Sequence, residues 1–214
     1  MSTNSDFGML NQVCIELDRG LHGCSFETDN RTRLGAACLS IAAEHLRSMC
    51  LLGYHRKYAS AAALMRPCFE AYVRHHWFRL CATDSDIDKL KRDKLDLKVK
   101  TMASAISSHD ADLSTHISDL WQAAPQLHSL THTGLAQIGR RLSDDRGGSI
   151  GPAFTPEDIS TLFENVQRLV IYIGIAQSDM VGGDHYTNLF EEQMKRLPLA
   201  QEYVSRYCAT HACP

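Results

Sequence analysis

The stretch ALMRPCFEAYVRHHWFRLCA, residues 63–82, constrains this chain more than any other. Met65, Phe69, Tyr72, Val73 and Leu80 recur at helical spacing and form an apolar face. Arg66, Glu70 and Arg74 stand at i, i+4 and i+8, so their side chains leave the same helix on one stripe, which Trp77 extends by a further i+3. With apolar residues on one face and Trp77 and Cys81 on the other, this helix is expected to be covered on both sides. Charges in that position must be paired or open to a cleft. Two accounts follow and both stay open: Glu70 bridges the two arginines as a structural network, or it orients them in a cationic pocket for an anion.

The rest of the chain carries the same period. Leu10, Val13, Cys14, Leu17 and Leu21 predict a helix over 6–21, ended by Gly20 and Gly23. Asp29 or Asn30 then caps a long helix over 31–52, which Gly53 is expected to stop. Small residues at 35–37 and 42–43 would let a neighbour approach it closely. The central helix spans 58–81 and is expected to kink at Pro67. Thr83-Asp84-Ser85-Asp86 starts another helix, which the charged run KLKRDKLDLKVK continues as a solvated face and Met102 to Ile106 completes.

Leu113, Ile117, Leu120 and Trp121 predict an amphipathic helix reaching Pro125, and a further helix is expected over 126–142. Residues 143–156 are dense in Gly, Pro and Asp and read as a loop. Thr155-Pro156-Glu157-Asp158 has the order of an N-cap, a proline at the first helical position and an acidic first turn. The helix behind it, to about Met180, carries LVIYIGIA and is expected to be buried on most sides. A last pair covers 185–196 and 199–207, broken at Pro198. These elements predict an all-α fold: a single-domain bundle of about seven helices over 1–214, its core at about 30–180, with the C-terminal helices over 185–207 packed on it.

Composition narrows the function classes. A net charge of -3 gives no whole-chain footprint for nucleic acid or anionic membrane, although a local basic patch is compatible with it. The first ten residues lack the basic and apolar segments of a secretory signal. No run approaches the ~20 apolar residues of a membrane helix. Of the eight cysteines, Cys14, Cys38, Cys50, Cys68 and Cys81 fall in apolar helical stretches, where a free thiol behaves as a small hydrophobe. No CxxC pair is present. A reducing cytoplasm and no membrane partner are the expectation.

A second candidate group lies in LHSLTHTGLAQIGRR, residues 127–141. His128 and His132 are i and i+4, beside Thr131 and Gln137, on a helix otherwise rich in small residues. Two histidines so spaced can do acid–base work near neutral pH, or bond helix partners in a core. They can also share a metal, given further ligands such as Glu70 or His75. The second carboxylate-plus-histidine helix of a di-iron bundle is missing, so no metal and no cofactor is expected. His75 and His76 are consecutive and are expected to point apart.

At RPCFEAYVRHHW together with LHSLTHTGLAQIGRR, the chain resembles an uncharacterised bacterial family of cytoplasmic helical proteins and, more distantly, the HEPN superfamily of helical bundles. The resemblance covers about residues 30–180. It implies a metal-independent ribonuclease of toxin–antitoxin or phage-defence systems, acting as a homodimer on RNA and paired with a cognate protein. The HEPN site is an Arg followed by four to six residues and a His; here His128 stands where that Arg would be and His132 where its His would be. The implied catalytic set is therefore His128 and His132 with Arg66 and Glu70, and Arg74, Trp77, Thr131 and Gln137 are the implied binding residues.

Two further readings stand beside it. One is a non-catalytic module that binds a small anion, a nucleotide or a partner protein through the same pocket. The other is a metal-dependent bundle enzyme built on Glu70, His128 and His132.

Overall fold

The computed structural model describes residues 4–21, 29–123, 138–139 and 154–200. These form eight helices: α1 (Asn4–Gly20), α2 (Asn30–Tyr54), α3 (Tyr58–Leu80), α4 (Asp84–Lys91), α5 (Val99–Ser107), α6 (Ala111–Ala123), α7 (Pro156–Val181) and α8 (Asp184–Met194). No strand occurs among the described residues. The fold is all-helical. Of the helix expected over 126–142, only residues 138–139 are described, and both are helical. Residues 201–207 of the expected last helix lie outside the described residues.

The caps explain where the helices start. The Asp29 carboxylate accepts from the backbone N–H groups of Arg31 and Thr32 at 2.9 and 3.1 Å, satisfying donors that α2 itself leaves without partners. Thr83 and Asp86 form a reciprocal capping box at α4, as do Thr155 and Asp158 at α7, where Pro156 takes the first position.

α2 and α3 form the central antiparallel hairpin. His75 Nδ1–H donates to the carbonyl of Gly35 at 2.9 Å, and the Cys68 thiol donates to the carbonyl of Ala42 at 3.3 Å. Such backbone approach requires small residues on α2. A Cβ at Gly35 would lie 2.9 Å from Cγ of Arg79. α3 runs through Pro67 as one helix.

Two boundaries differ from expectation. Gly53 does not stop α2, which runs on to Tyr54. The turn into α3 is made by Arg56, in the left-handed region at φ 57°. Gly53 instead lies buried against α1, where a Cβ would fall 2.3 Å from the Phe7 ring. The helix expected to run from 83 to 106 is two helices. Asp93 turns left-handed at φ 54°, and the chain then runs extended with Leu95, Leu97 and Val99 turned inward and Lys94, Asp96 and Lys98 exposed. That alternation has the period of an extended segment rather than a helix. Three apolar anchors outweigh the helical propensity of the charges between them.

One apolar cluster joins α1, α2, α3, α5, α6, α7 and α8, through residues such as Phe7, Leu39, Phe69, Met102, Ile117, Ile171 and Phe190. α7 is buried along most of its length, from Leu162 to Ser178. α8 lies across α1 and α7, with the Phe190 ring over Gly174 and Leu189 over Gly20. No described helix is long and apolar enough to cross a membrane.

Candidate functional site

The charged stripe of α3 emerges at a half-buried edge of the bundle. Arg66 Nε–H donates to Glu70 Oε1 at 2.8 Å, and Arg74 Nη1 lies 3.5 Å from Glu70 Oε2. Each carboxylate oxygen thus serves one guanidinium, and the triad keeps a net charge of +1. The side chains of Arg66, Glu70 and Arg74 are 28%, 21% and 43% exposed, so the three charges are not desolvated as full coverage of the helix would have required. Partial exposure keeps each pair near the ~0.2–1 kcal/mol of a surface ion pair.

Arg74 is also felt on the neighbouring helix. Its charge acts on Cys38 of α2, opposing the burial that pushes that thiol up. Trp77, the continuation of the stripe by spacing, is 5% exposed and packs edge-on to Phe78 in the core. The part of the stripe open to solvent ends at Arg74. His128, Thr131, His132 and Gln137 lie outside the described residues.

A second group of titratable side chains converges inside the bundle. The rings of His75 and His76 do not point apart: their centroids are 4.6 Å apart, edge to face. His76 meets Tyr72 at 4.7 Å, and His116 of α6 stacks on Tyr172 of α7 at 4.8 Å. Burial drives the His75 pKa down to about 4, opposed by its bond to the Gly35 carbonyl and aided by Arg79. Burial likewise holds His76 well below the usual histidine range, with smaller contributions from His75, Arg79 and His116. Both imidazoles are neutral at physiological pH. Their Nε2 atoms are buried without a hydrogen-bond partner among the described residues. Burial also raises the Tyr72 phenol, with the carboxylates of Asp179 and Asp110 adding to it.

Spacing along the chain does not reveal this cluster. His116 and Tyr172 come from helices far apart in the chain, and only tertiary packing unites them with Tyr72 and His76. Among the described residues no group of three or more His, Cys, Asp or Glu side chains is placed to hold a metal ion. The five described cysteines are free thiols. Cys50 and Cys68 are held above the ordinary thiol range, Cys50 first by its bond with Cys14 and Cys68 first by burial, so neither is a nucleophile.

A cavity of about 240 Å³ opens beside α3, between α5 and α6. Phe69, Val99 and Ile117 supply apolar lining, Trp121 forms a wall, and Ser104, Ser118 and Lys100 are on its lining. Trp121, grouped by spacing with the apolar face of α6, is 46% exposed.

A family model described as a family of unknown function (DUF6988) matches residues 39–196. That span takes in α3, α5, α6 and α7, and with them the stripe, the histidine cluster and the cavity. No curated protein matches the chain, and no solved structure does.

Proposed function

We propose that this chain, which belongs to the DUF6988 family, is a helical module that binds a phosphate-bearing ligand, RNA or a nucleotide, at Arg66 and Arg74. The observation that supports this reading is the division of Glu70 between two guanidinium groups. One carboxylate orients two forks, and the three side chains sum to a net charge of +1 at a half-buried edge. Guanidinium groups held in this way meet phosphate oxygens through charge-assisted bonds at little ordering cost.

The resemblance to HEPN bundles extends the reading to metal-independent RNA cleavage in a toxin or phage-defence setting. His132, with His128 beside it, would take the proton of a ribose 2′-hydroxyl, and the arginines would meet the charge developing on the phosphate. A cytoplasmic homodimer with a cognate protein partner belongs to the same proposal. A metal enzyme built on Glu70 has less support, because both oxygens of that carboxylate already face guanidinium groups.

The test is binding and cleavage of single-stranded RNA in a chelator, with wild type beside Arg66→Ala, Arg74→Ala and His132→Ala. Loss of one charged contact should weaken binding roughly tenfold in each arginine variant. His132→Ala should abolish cleavage and leave binding in place. Binding indifferent to both arginines would remove the α3 stripe as the ligand site.

A further inference from the structure

A half-exposed tryptophan on a protein surface needs no special explanation by itself. Trp121 differs because it walls a cavity. Its ring packs against that of Phe69 at 5.6 Å, tilted by 45°, and the contacting pair forms a wedge along one side of the cavity. Phe69 is 2% exposed and fixed in the core, whereas Trp121 is 46% exposed. Phe69 therefore anchors the pair in the core, and Trp121 supplies the free aromatic surface.

The size and lining specify what fits. At about 240 Å³ the cavity is smaller than the ~300–1,000 Å³ of sites that enclose whole drug-sized ligands. It suits one ring system with the rest of the ligand left outside. The lining is not uniformly apolar. Ser107 donates to the carbonyl of Ser104 at 2.7 Å and keeps its lone pairs, and Ser118 accepts from Gln122 at 3.0 Å and keeps its proton. Hydroxyls that still accept and donate answer the mixed edge of a heterocycle rather than a hydrocarbon chain. Lys100 adds a positive charge to the lining. Arg66 precedes Phe69 by three residues on α3, so the charged stripe begins one turn from that anchor.

We propose that the cavity beside this wedge takes a single nucleobase, stacked on Trp121, whose phosphate is met by Lys100. The proposal rests on the phosphate-ligand reading above and names its second contact. Stacking on tryptophan tolerates any base, because every base has a π-face. The base is that of a free nucleotide or of single-stranded RNA, and the two share this chemistry.

The chain has two tryptophans, and Trp77 is buried, so Trp121 dominates any quenching by a bound base. Titration of the full chain with UMP and with hexauridylate, followed by tryptophan fluorescence and by calorimetry, tests the idea. Saturable quenching is expected. Calorimetry should show binding about tenfold weaker or more in Trp121→Ala, in line with the loss of one base stack. Lys100→Glu, an exposed change that leaves the wedge intact, should weaken UMP binding several-fold at low salt. Binding of hexauridylate alone would identify RNA as the source of the base; binding of UMP as well would identify a free nucleotide.

Arg74→Ala in the same titration separates the two proposals. Binding that falls with Arg74→Ala and ignores Trp121→Ala would overturn the wedge and leave the stripe standing. Binding that falls with Trp121→Ala and ignores Arg74→Ala would do the reverse. No saturable binding of either ligand would overturn both.

Discussion

His75 is held neutral by burial, and the consequence is a dependence of stability on pH with a definite sign. Its pKa in the folded chain is about 4, against ~6.5 for an unperturbed histidine. The unfolded chain therefore binds the proton more readily between those values. Stability is full above pH ~6.5 and is lost as pH falls toward 4, by about 3 kcal/mol from this one ring. His76 adds to the loss in the same direction, since its pKa is lowered by the same burial and by its neighbours His75, Arg79 and His116. Urea unfolding at pH 7.5 and pH 5 should show the decline. His75→Gln, which keeps a donor for the Gly35 carbonyl, should flatten part of it. An unchanged slope in that variant would mean that His75 is not the group that takes up the proton.

At the scale of the helices, close packing at Gly53 joins α1 to the α2–α3 hairpin. With the Phe7 ring where a Cβ would have to go, Gly53→Ala should destabilise the fold by ~1–3 kcal/mol through overpacking, read as a lowered urea midpoint. Phe7→Leu placed with it should recover part of the loss; simple addition of the two costs would show that the residues do not share the space. The same position shows what sequence spacing conveys. A glycine near the end of an apolar helical run reads as a stop, but its actual cause is a ring contributed by a helix nearly fifty residues earlier. Starts were legible because Asp29, Thr83 and Thr155 act on their own next turn. The break at Asp93 was not, because Leu95, Leu97 and Val99 are drawn inward by a core assembled from other helices. Of the candidate site, the Arg66–Glu70–Arg74 stripe was legible because it lies within one helix. The Tyr72–His76–His116–Tyr172 cluster and the Phe69–Trp121 wedge depend on how α3, α5, α6 and α7 meet.

For the molecule as a whole, the apolar cluster that joins α1–α3 and α5–α8 has a cooperative consequence. Each of these helices buries its face against at least one of the others, as α2 does against α1, α3 and α7. Among the described residues none has a separate core to fall back on, so these helices should unfold together. α4 is the exception: Ile87 is its one buried residue and lies outside that cluster. Trp77 reports on the centre of the cluster and Trp121 on its edge. In Trp121→Phe the fluorescence comes from Trp77 alone, while far-ultraviolet circular dichroism follows all helices. The two urea transitions should coincide, as two-state unfolding requires. A Trp77 transition at higher urea than the loss of helix would show that the α2–α3 hairpin outlasts its neighbours. The stripe and the wedge would then belong to parts of the chain that open separately, and the proposed ligand, whose site spans α3 and α6, should raise the lower midpoint alone in the wild-type chain.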